Sequence, residues 1–498
     1  MAGALETLPL EALRAAALEE ARRRGVTHAE LRIERIVTQA VALRDGEVEG
    51  VADDTEIGLG VRVVHDGALG FAATVELDPQ AAARCVGEAV ELAMLTGRAK
   101  AGRVELADEP AYGEVSWSGS WRQDPTAVPL GERIALLEGW SRQLLAAPVV
   151  DHVTASLVAV SEEKYLATLS GTTARQRRVR IQPSIEALAV GDDGGFETMR
   201  SIAPPVGRGY EYVEGEGWDF SRELAELPDQ LAEKLAAPSV APGAYDLVID
   251  PTNLWLTIHE SVGHATELDR ALGYEAAYAG TSFATFDQLG SLRYGSELMS
   301  VTGDRTAPFG LATLGWDDEG VAAQSFDLAR DGVLVGYQLD RRIAAEAGLG
   351  RSNGCAFASS PLMVPIQRMA NVSLAPAPGE GPTTAELISG VEHGIYVVGD
   401  KSWSIDMQRH NFQFTGQRFY RIEHGRLAGQ VKDVAYQSRT TDFWGALAAL
   451  GGRSSYLLAG AMNCGKGQPG QVAPVSHGCP SALFRQINVL NTRRESGR

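Results

Sequence analysis

The segment HESVGH, from His259 to His264, constrains local folding more tightly than any other stretch of this sequence. It carries two histidines around a glutamate. Neutral imidazoles are good zinc ligands, and a carboxylate beside the first ligand can accept a proton from metal-bound water. The familiar zinc-hydrolase pattern H-E-x-x-H spaces its histidines four apart on one helical face, whereas a spacing of five separates them by roughly 140°. We therefore predict a π-type turn, or an early loosening of the helix at Gly263, that brings both rings to one side.

The residues around this segment predict where it lies in the fold. Residues 245–251 (YDLVIDP) are typical of a buried strand that ends at a proline, and Thr252 or Asn253 can cap a helix that follows. Four apolar side chains then give that helix a buried face: Leu254, Trp255, Ile258 and Val262. A strand followed at once by a helix is a rigid mount for a metal site. The alternative is a helix whose histidines are merely packed or solvated.

Composition narrows the class of protein. At 498 residues the chain is long enough for two or three domains with their own cores. Its 45 basic and 64 acidic side chains give a net charge of −19, which argues against nucleic acid or an anionic membrane surface as a partner. The start of the chain lacks signal-peptide features, and no stretch of about 20 residues is apolar enough to span a bilayer. Four scattered cysteines fit a reducing compartment, so we expect a cytoplasmic enzyme.

The order of predicted elements is that of an α+β fold rather than a regular βαβ alternation. Amphipathic patterns predict helices at residues 7–25, 81–95, 130–145 and 220–236. Alternating runs predict strands, among them 29–36, 39–44, 58–64 and others within 153–190. Residues 238–243 (PSVAPG) are typical of a loop between domains. Beyond them the sequence contains frequent turn signals, and the only helices predicted are the metal-motif helix and one near 384–391. We therefore predict three domains: an N-terminal α+β domain (1–110), a central α+β domain (111–237) and a mostly β C-terminal domain that carries the metal-motif helix (243–498).

A catalytic zinc site usually has three protein ligands and a water, so another residue must join His259 and His264. Glu267 and Asp269 follow the motif, and Glu267 projects from nearly the same side of the helix. Either carboxylate could instead hold an imidazole in place or simply be solvated.

Two cysteines are further candidates for the third ligand. Cys464 lies in a glycine-flanked turn beside Lys466, which favours the thiolate. Cys479, in the segment HGCP (477–480), looks almost as suitable. An unpaired cysteine is more commonly just a small buried residue, and spacing alone leaves these alternatives open.

Residues 259–269 (HESVGHATELD) resemble the H-E-x-x-x-H-x-x-E-x-D signature of the TldD/PmbA family of zinc metalloproteases, in its metal-bearing TldD branch. The resemblance continues along essentially the whole chain. Further segments match family landmarks in order: 58–62, 70–72, 207–211, 317–320, 368–371 and 431–432. Cys355 and the segment 477–479 depart from the family pattern.

This resemblance implies a specific site. Cys464, in a C-G-K segment, becomes the third ligand beside His259 and His264 for one Zn²⁺ per chain, and Glu260 becomes the general base. The sister branch of the family lacks the H-E-x-x-x-H residues, so their presence implies the catalytic type. The resemblance also implies a homodimer, or a heterodimer with a non-catalytic sister chain, that encloses the active site.

The predicted function is that of a zinc-dependent metallopeptidase that hydrolyses short or unfolded peptides, with Glu260 as general base on zinc-bound water. Tyr278, Tyr294 and His410 are candidates to stabilise the oxyanion or contact substrate, and Glu267 and Asp269 to support the ligands. One alternative is a metal-dependent tailoring enzyme that acts on a peptide-like biosynthetic intermediate. Another is a non-catalytic structural zinc subunit, whose fourth metal position would be closed by a protein ligand such as Cys479 or Glu267.

Overall fold

The structure is a computed structural model that describes residues 4–99, 103–191 and 194–495. The prediction that the start of the chain lacks signal-peptide features concerns a segment whose residues 1–3 lie outside the described residues. Helices and strands are mixed, and strands predominate after residue 243, so the predicted α+β class is confirmed. In the described ranges, no helix has both the length and the apolar character needed to cross a bilayer.

The predicted N-terminal helices are all present in the structure, and two of them have the predicted ends. They are α1 (Leu10–Arg23), α2 (Pro79–Ala99), α3 (Leu130–Leu145) and α4 (Phe220–Ala236). The strands of this half are β1 (His28–Arg44), β2 (Glu47–His65), β3 (Ala68–Thr74), β4 (Gly113–Ser118), β5 (His152–Thr168), β6 (Thr172–Val190) and β7 (Phe196–Arg200). The runs predicted separately at 29–36 and 39–44 form one strand, because Val37 and Thr38 remain paired with β2.

These strands form one sheet in the order β3-β2-β1-β5-β6-β4, with β7 paired to β6. Neighbours are antiparallel except for β4 and β6. Helices α1 and α2 bury one hydrophobic core against the sheet, and α3 and α4 bury a second. The sheet contains strands from both sides of residue 110, and the three-domain division stays a prediction.

The C-terminal half begins with a strand that leads directly into the motif helix. Its helices are α5 (Pro251–Ile258), α6 (Leu268–Ala271), α7 (Arg341–Glu346), α8 (Thr384–Ser389), α9 (Thr440–Gly445) and α10 (Thr492–Glu495). Its strands are β8 (Gly243–Ile249), β9 (Val301–Asp304), β10 (Ser325–Arg330), β11 (Val333–Leu334), β12 (Ala356–Phe357), β13 (Ile366–Gln367), β14 (Asn371–Leu374), β15 (His393–Ile405), β16 (Asn411–Glu423), β17 (Arg426–Val431), β18 (Val434–Arg439), β19 (Leu447–Leu450), β20 (Leu457–Lys466), β21 (Gln471–Cys479) and β22 (Ala482–Asn491). Helix α8 is the one predicted near 384–391. The short helices α6, α7, α9 and α10 were not predicted, because one or two turns carry too little periodicity.

The main C-terminal sheet closes on itself. Its order is β15-β8-β22-β18-β16-β17, and β15 also pairs with β16, so five of these strands form a ring. The pair β8 and β15 is parallel. A large hydrophobic core lies between this ring and α5, and it includes Ile249, Ile258 and Phe414. Smaller sheets (β11-β10-β9-β14 and the hairpin β20-β21) flank the helix.

Buried ion pairs join the two halves of the molecule. Asp318 accepts from Lys164 Nζ at 2.6 Å and from Arg32 Nη1 at 3.1 Å, and both cations belong to the N-terminal sheet. Arg62 of the same sheet pairs with Glu319 at 2.6 Å. Residues 182–184 of β6 and the segment 200–205 line a cleft together with residues of α5.

Candidate metal centre

Helix α5 starts directly after β8, as the strand-to-helix pattern predicts. Its cap is Asp250, whose Oδ1 accepts the Thr252 N–H at 3.0 Å, and not the predicted Thr252 or Asn253. The helix starts earlier than predicted because Pro251, with its φ already fixed near the helical value, provides the first residue. Asn253 instead donates from Nδ2 to carbonyls of β15 and β16, which ties the helix to the closed ring.

The motif itself forms a π-type turn over His259–Gly263, in which the His264 N–H donates to the His259 carbonyl. A short 3-10 turn (His264–Thr266) follows. The wider turn absorbs the extra residue and brings the two imidazole centroids to 4.7 Å. The predicted irregularity of the helix is therefore confirmed.

Neighbouring side chains satisfy the carbonyl groups of this turn. The donors are Tyr294 to Ser261, Thr266 to Val262 and Gln338 to Gly263. Each carbonyl is buried, so it would cost free energy if it were left without a partner. Gly263 also leaves room for the core, since a Cβ there would lie 2.6 Å from the Met369 sulfur.

Three side chains of metal-ligating type converge beside the turn. Ligand atoms of His259, His264 and Cys464 lie within 4.8 Å of one another, and all three residues are buried. His264 Nε2 is 3.6 Å from Cys464 Sγ. Cys464 comes from β20, at a register shift in its pairing with β21 that begins after Ala461. Two imidazoles and a thiol at this separation fit a tetrahedral zinc ion.

Hydrogen bonds fix which imidazole nitrogen is available to a metal. His477 Nδ1 lies 2.9 Å from the Val372 carbonyl, to which it can only donate, so its Nε2 is an acceptor. That Nε2 lies 2.7 Å from His259 Nδ1, which therefore carries a proton and leaves His259 Nε2 unprotonated. His264 Nδ1 similarly donates to Glu267 Oε2 at 2.8 Å. Burial lowers the pKa of His259 and holds that of His477 well below its ordinary value, which favours the neutral form of these two rings.

Glu267 and Asp269 lie behind the three candidate ligands and are not part of that group. Lys466 Nζ donates to Glu267 Oε1 at 3.2 Å and to Asp269 Oδ1 at 2.8 Å. Burial, the largest influence, raises the pKa of Glu267, but Lys466 and His264 outweigh it and hold the pKa well below its usual range. Burial raises the pKa of Asp269. Glu267 is therefore an ionised partner of His264, and Asp269 is the anchor of Lys466.

The surroundings of Cys464 favour its thiolate. Arg368 is fully buried, and its Nη2 donates to the Cys464 carbonyl at 2.6 Å and lies 3.4 Å from Sγ. Burial, again the largest influence, raises the pKa of the thiol, but His264 and Arg368 outweigh it and lower the pKa. A thiolate is the form that ligates zinc.

Glu260 faces the same cleft, which has a volume of about 500 Å³. Its Oε2 accepts from Arg409 Nη1 at 2.7 Å. Burial raises the pKa of Glu260, but the charges around it, with His264 and Arg409 among them, outweigh burial and lower the pKa. The cleft is walled by residues 182–184, 200–205, 400–403, 459–461 and 463–465.

The other predicted candidates lie elsewhere. Tyr278 is 63% exposed, Tyr294 is buried with its hydroxyl on the Ser261 carbonyl, and the His410 ring stacks on Phe283. None of these three side chains is among the described residues that line the cleft.

Cys355 and Cys479 also lie apart from the group of candidate ligands. Cys479 is buried with its sulfur 3.7 Å from the Pro251 carbonyl, and burial holds its pKa well above the usual value. Burial raises the pKa of Cys355 to about 12. Both thiols are therefore protonated side chains of the core.

Sequence reasoning missed three residues of the site: His477, Arg368 and Arg409. His477 had a usable signal, because it lies two residues before Cys479, on the same face of an alternating strand. The two arginines carry no comparable pattern, because Arg368 follows the short strand β13 and Arg409 lies in the turn between β15 and β16, both far in sequence from the residues they contact.

Comparisons with known proteins identify the family of this chain. The family model for the PmbA/TldA metallopeptidase C-terminal domain matches residues 242–491, and the model for domain 1 matches residues 29–93. A protein from Methanothermobacter thermautotrophicus named metalloprotease is 28% identical over 94% of this chain and 96% of its own length. A metalloprotease TldD homolog from Haemophilus influenzae is 26% identical over 94% of each chain.

Two further comparisons concern zinc and the fold. A zinc metalloprotease TldD homolog from Saccharolobus solfataricus is 24% identical over 61% of this chain and 64% of its own length. The solved structure of TldE from Thermococcus kodakarensis is 14% identical and superposes with a TM-score of 0.66, covering 95% of this chain and 99% of that one. The matched models span more than half of the chain. The chain therefore belongs to the PmbA/TldD family of metallopeptidases.

Proposed function

We propose that this chain is a zinc-dependent metallopeptidase that hydrolyses short or unfolded peptides, with zinc held by His259, His264 and Cys464. One observation supports this above all. Two imidazoles, each tied by its Nδ1 to a neighbouring side chain, and a thiolate-prone sulfur converge at the wall of a cleft that also holds the ionised Glu260. The zinc metalloprotease name of the relative from Saccharolobus solfataricus supports the choice of metal.

Zinc bound there would supply Lewis acidity, which acidifies a water molecule and polarises the scissile carbonyl. Glu260 would act as the general base: its carboxylate is ionised and reaches the cleft, so it can take a proton from the attacking water and later deliver it to the leaving amine. His477 and Glu267 would hold the two imidazoles in the tautomer that ligation requires.

The position of strand β20 along the cleft supports a peptide substrate. Residues 459–461 and 463–465 of β20 line it, and within the described chain β20 pairs only with β21. The other edge of β20 can therefore pair with an extended peptide backbone. Backbone pairing reads little side-chain information, so it suits short or unfolded peptides of varied sequence.

The contacts of Glu267 and Cys479 weigh against a purely structural zinc site. Such a site would need a fourth protein ligand. Both oxygens of Glu267 are engaged, by Lys466 and by His264, and Cys479 contacts the Pro251 carbonyl.

We also propose a cytoplasmic location, in line with four free cysteines, and a homodimer or a heterodimer with a non-catalytic sister chain such as TldE.

Replacing Glu260 with Gln tests the proposal directly. We expect Glu260→Gln to keep one zinc per chain and to lose at least about 100-fold in the cleavage of a mixed peptide library, because the amide cannot accept the proton. Cleavage by the wild-type chain should stop with a chelator and return with added zinc. Glu423→Gln, an exposed carboxylate on β16, is the matched control. Undiminished turnover by Glu260→Gln would disprove its role as the base.

A further inference from the structure

The side chain that contacts the proposed general base is Arg409. Its Nη1 donates to Glu260 Oε2 at 2.7 Å, and the two side chains are only 14% and 7% exposed. Both residues line the cleft. A charged hydrogen bond between largely buried groups is short and directional, so it restrains the carboxylate strongly.

The turn of the hairpin between β15 and β16 places the Arg409 side chain beside Glu260. Its tip spans residues 406–410, and the Asp406 carboxylate accepts the N–H groups of Gln408, His410 and Asn411 at 2.8–3.0 Å. The Arg409 carbonyl accepts from the Thr440 hydroxyl at 2.7 Å. These contacts leave the tip little freedom to move.

Arg409 also adopts a backbone conformation that favours glycine. Its φ is +62°, in the left-handed region. A non-glycine residue stays there only where its surroundings impose it, and such residues cluster at functional sites. Glycine would fit the tip without strain but could not reach Glu260.

We propose that Arg409 is a positioning residue that fixes Oε2 of Glu260, leaves Oε1 to receive the proton, and is held there by a strained hairpin tip. This role rests on the proposed peptidase function. It explains why one carboxylate oxygen is bound by protein while the residue still faces the cleft. It also accounts for a left-handed arginine at a position where glycine would be less strained.

The test compares Arg409→Ala and Arg409→Lys with the wild-type chain in zinc-loaded form. We expect Arg409→Ala to lower kcat about 10- to 100-fold, as a misplaced catalytic group does, with KM within about twofold and zinc still at one per chain. Arg409→Lys should recover part of the loss. Added guanidinium, at a concentration that does not unfold the protein, should also restore part of the activity of Arg409→Ala, and urea should not. Arg421→Ala, an exposed arginine of β16, is the control.

The backbone strain at Arg409 is tested separately by measuring the thermal unfolding temperature of two variants. Arg409→Gly should unfold at a higher temperature than Arg409→Ala, the reverse of the usual order, because glycine relaxes a positive φ. An Ala variant that melts at or above the Gly variant would overturn the strained tip. A kcat within twofold of wild type, or a loss of activity that follows loss of zinc, would overturn the positioning role. A wild-type chain that cleaves no peptide would instead overturn the proposed function, and this role with it.

Discussion

The two histidines of the motif are held by unequal partners. His264 donates to the Glu267 carboxylate, an anionic partner, whereas His259 donates to the neutral ring of His477. The His477 ring is in turn fixed by the Val372 carbonyl. We therefore expect His264 to be the stronger electron donor to a metal and His259 to depend on His477 for its tautomer.

The dependence on His477 can be measured. Replacing His477 with Leu removes the acceptor while keeping much of the volume, so we expect zinc affinity to fall about 10- to 100-fold in competition with a chelator. Cys479→Ala, two residues away on the same strand, should change the affinity by less than twofold. Equal losses in both variants would mean that the strand as a whole supports the site, and not His477 in particular.

Cys464 is the candidate ligand furthest from the motif in sequence. Cys464→Ala should reduce the zinc content well below one per chain at neutral pH, because two imidazoles alone form a weak site. Cys355→Ala changes a cysteine that is buried elsewhere and should keep full zinc. Full zinc in Cys464→Ala would contradict the proposed ligand set.

At the scale of elements, the π turn depends on partners outside the helix. The five-residue spacing demands a wider turn, and the Tyr294 hydroxyl donates to the Ser261 carbonyl of that turn. Tyr294 also packs against Phe283, which fixes its ring. The turn is therefore a joint product of the motif and of the loop that follows it.

Tyr294→Phe tests this dependence. Loss of the hydroxyl leaves a buried carbonyl without its partner, so we expect stability to fall by about 1–3 kcal/mol and zinc affinity to fall with it. Tyr337→Phe is the matched control, because its hydroxyl also lies within hydrogen-bond distance of backbone carbonyls, those of Ala284 and Thr285. It should lower stability, measured by urea unfolding, without changing zinc binding. Unchanged zinc affinity in Tyr294→Phe would separate the turn from the metal site.

At the scale of the whole molecule, the cleft exists because the two halves are locked together. Asp318 contacts Arg32 and Lys164 of the N-terminal sheet, and all three side chains are buried. Burial raises the pKa of Asp318, but Lys164 and Arg32 outweigh it and keep the carboxylate ionised. Removing one partner of such a group leaves buried charge uncompensated.

Asp318→Asn should therefore destabilise the chain by about 3–5 kcal/mol, as a broken buried ion pair does, and lower its unfolding midpoint in urea. Zinc affinity under native conditions should stay near that of the wild type, because the ligands all belong to the C-terminal half. Asp54→Asn, an exposed carboxylate on β2, is the control. A midpoint equal to that of the control would show that the ion pairs do not hold the halves together.

Much of the architecture could be predicted from the sequence because it is local. The periodicity of 130–145 and 220–236 predicted α3 and α4 to the residue, and the α+β order followed from such patterns. The short helices and the continuous strand β1 were missed, because single turns and strand pairing leave weak local signals. At the site, the motif and the resemblance predicted all three proposed ligands and Glu260, whereas the oxyanion candidates Tyr278, Tyr294 and His410 are absent from the described lining of the cleft.

The sequence by itself predicted the metal chemistry, from the residue types within His259–His264, and determined the need for a distorted helix, from the spacing of the two histidines. The tertiary structure decided which groups complete the site. His477 lies 218 residues from His259, and Arg409 lies 149 residues from Glu260. The sequence patterns that predict helices and strands repeat over a few residues, whereas these contacts depend on how segments far apart in the sequence pack together. The residues that contact the proposed ligands and the proposed base could therefore be identified only from the tertiary structure.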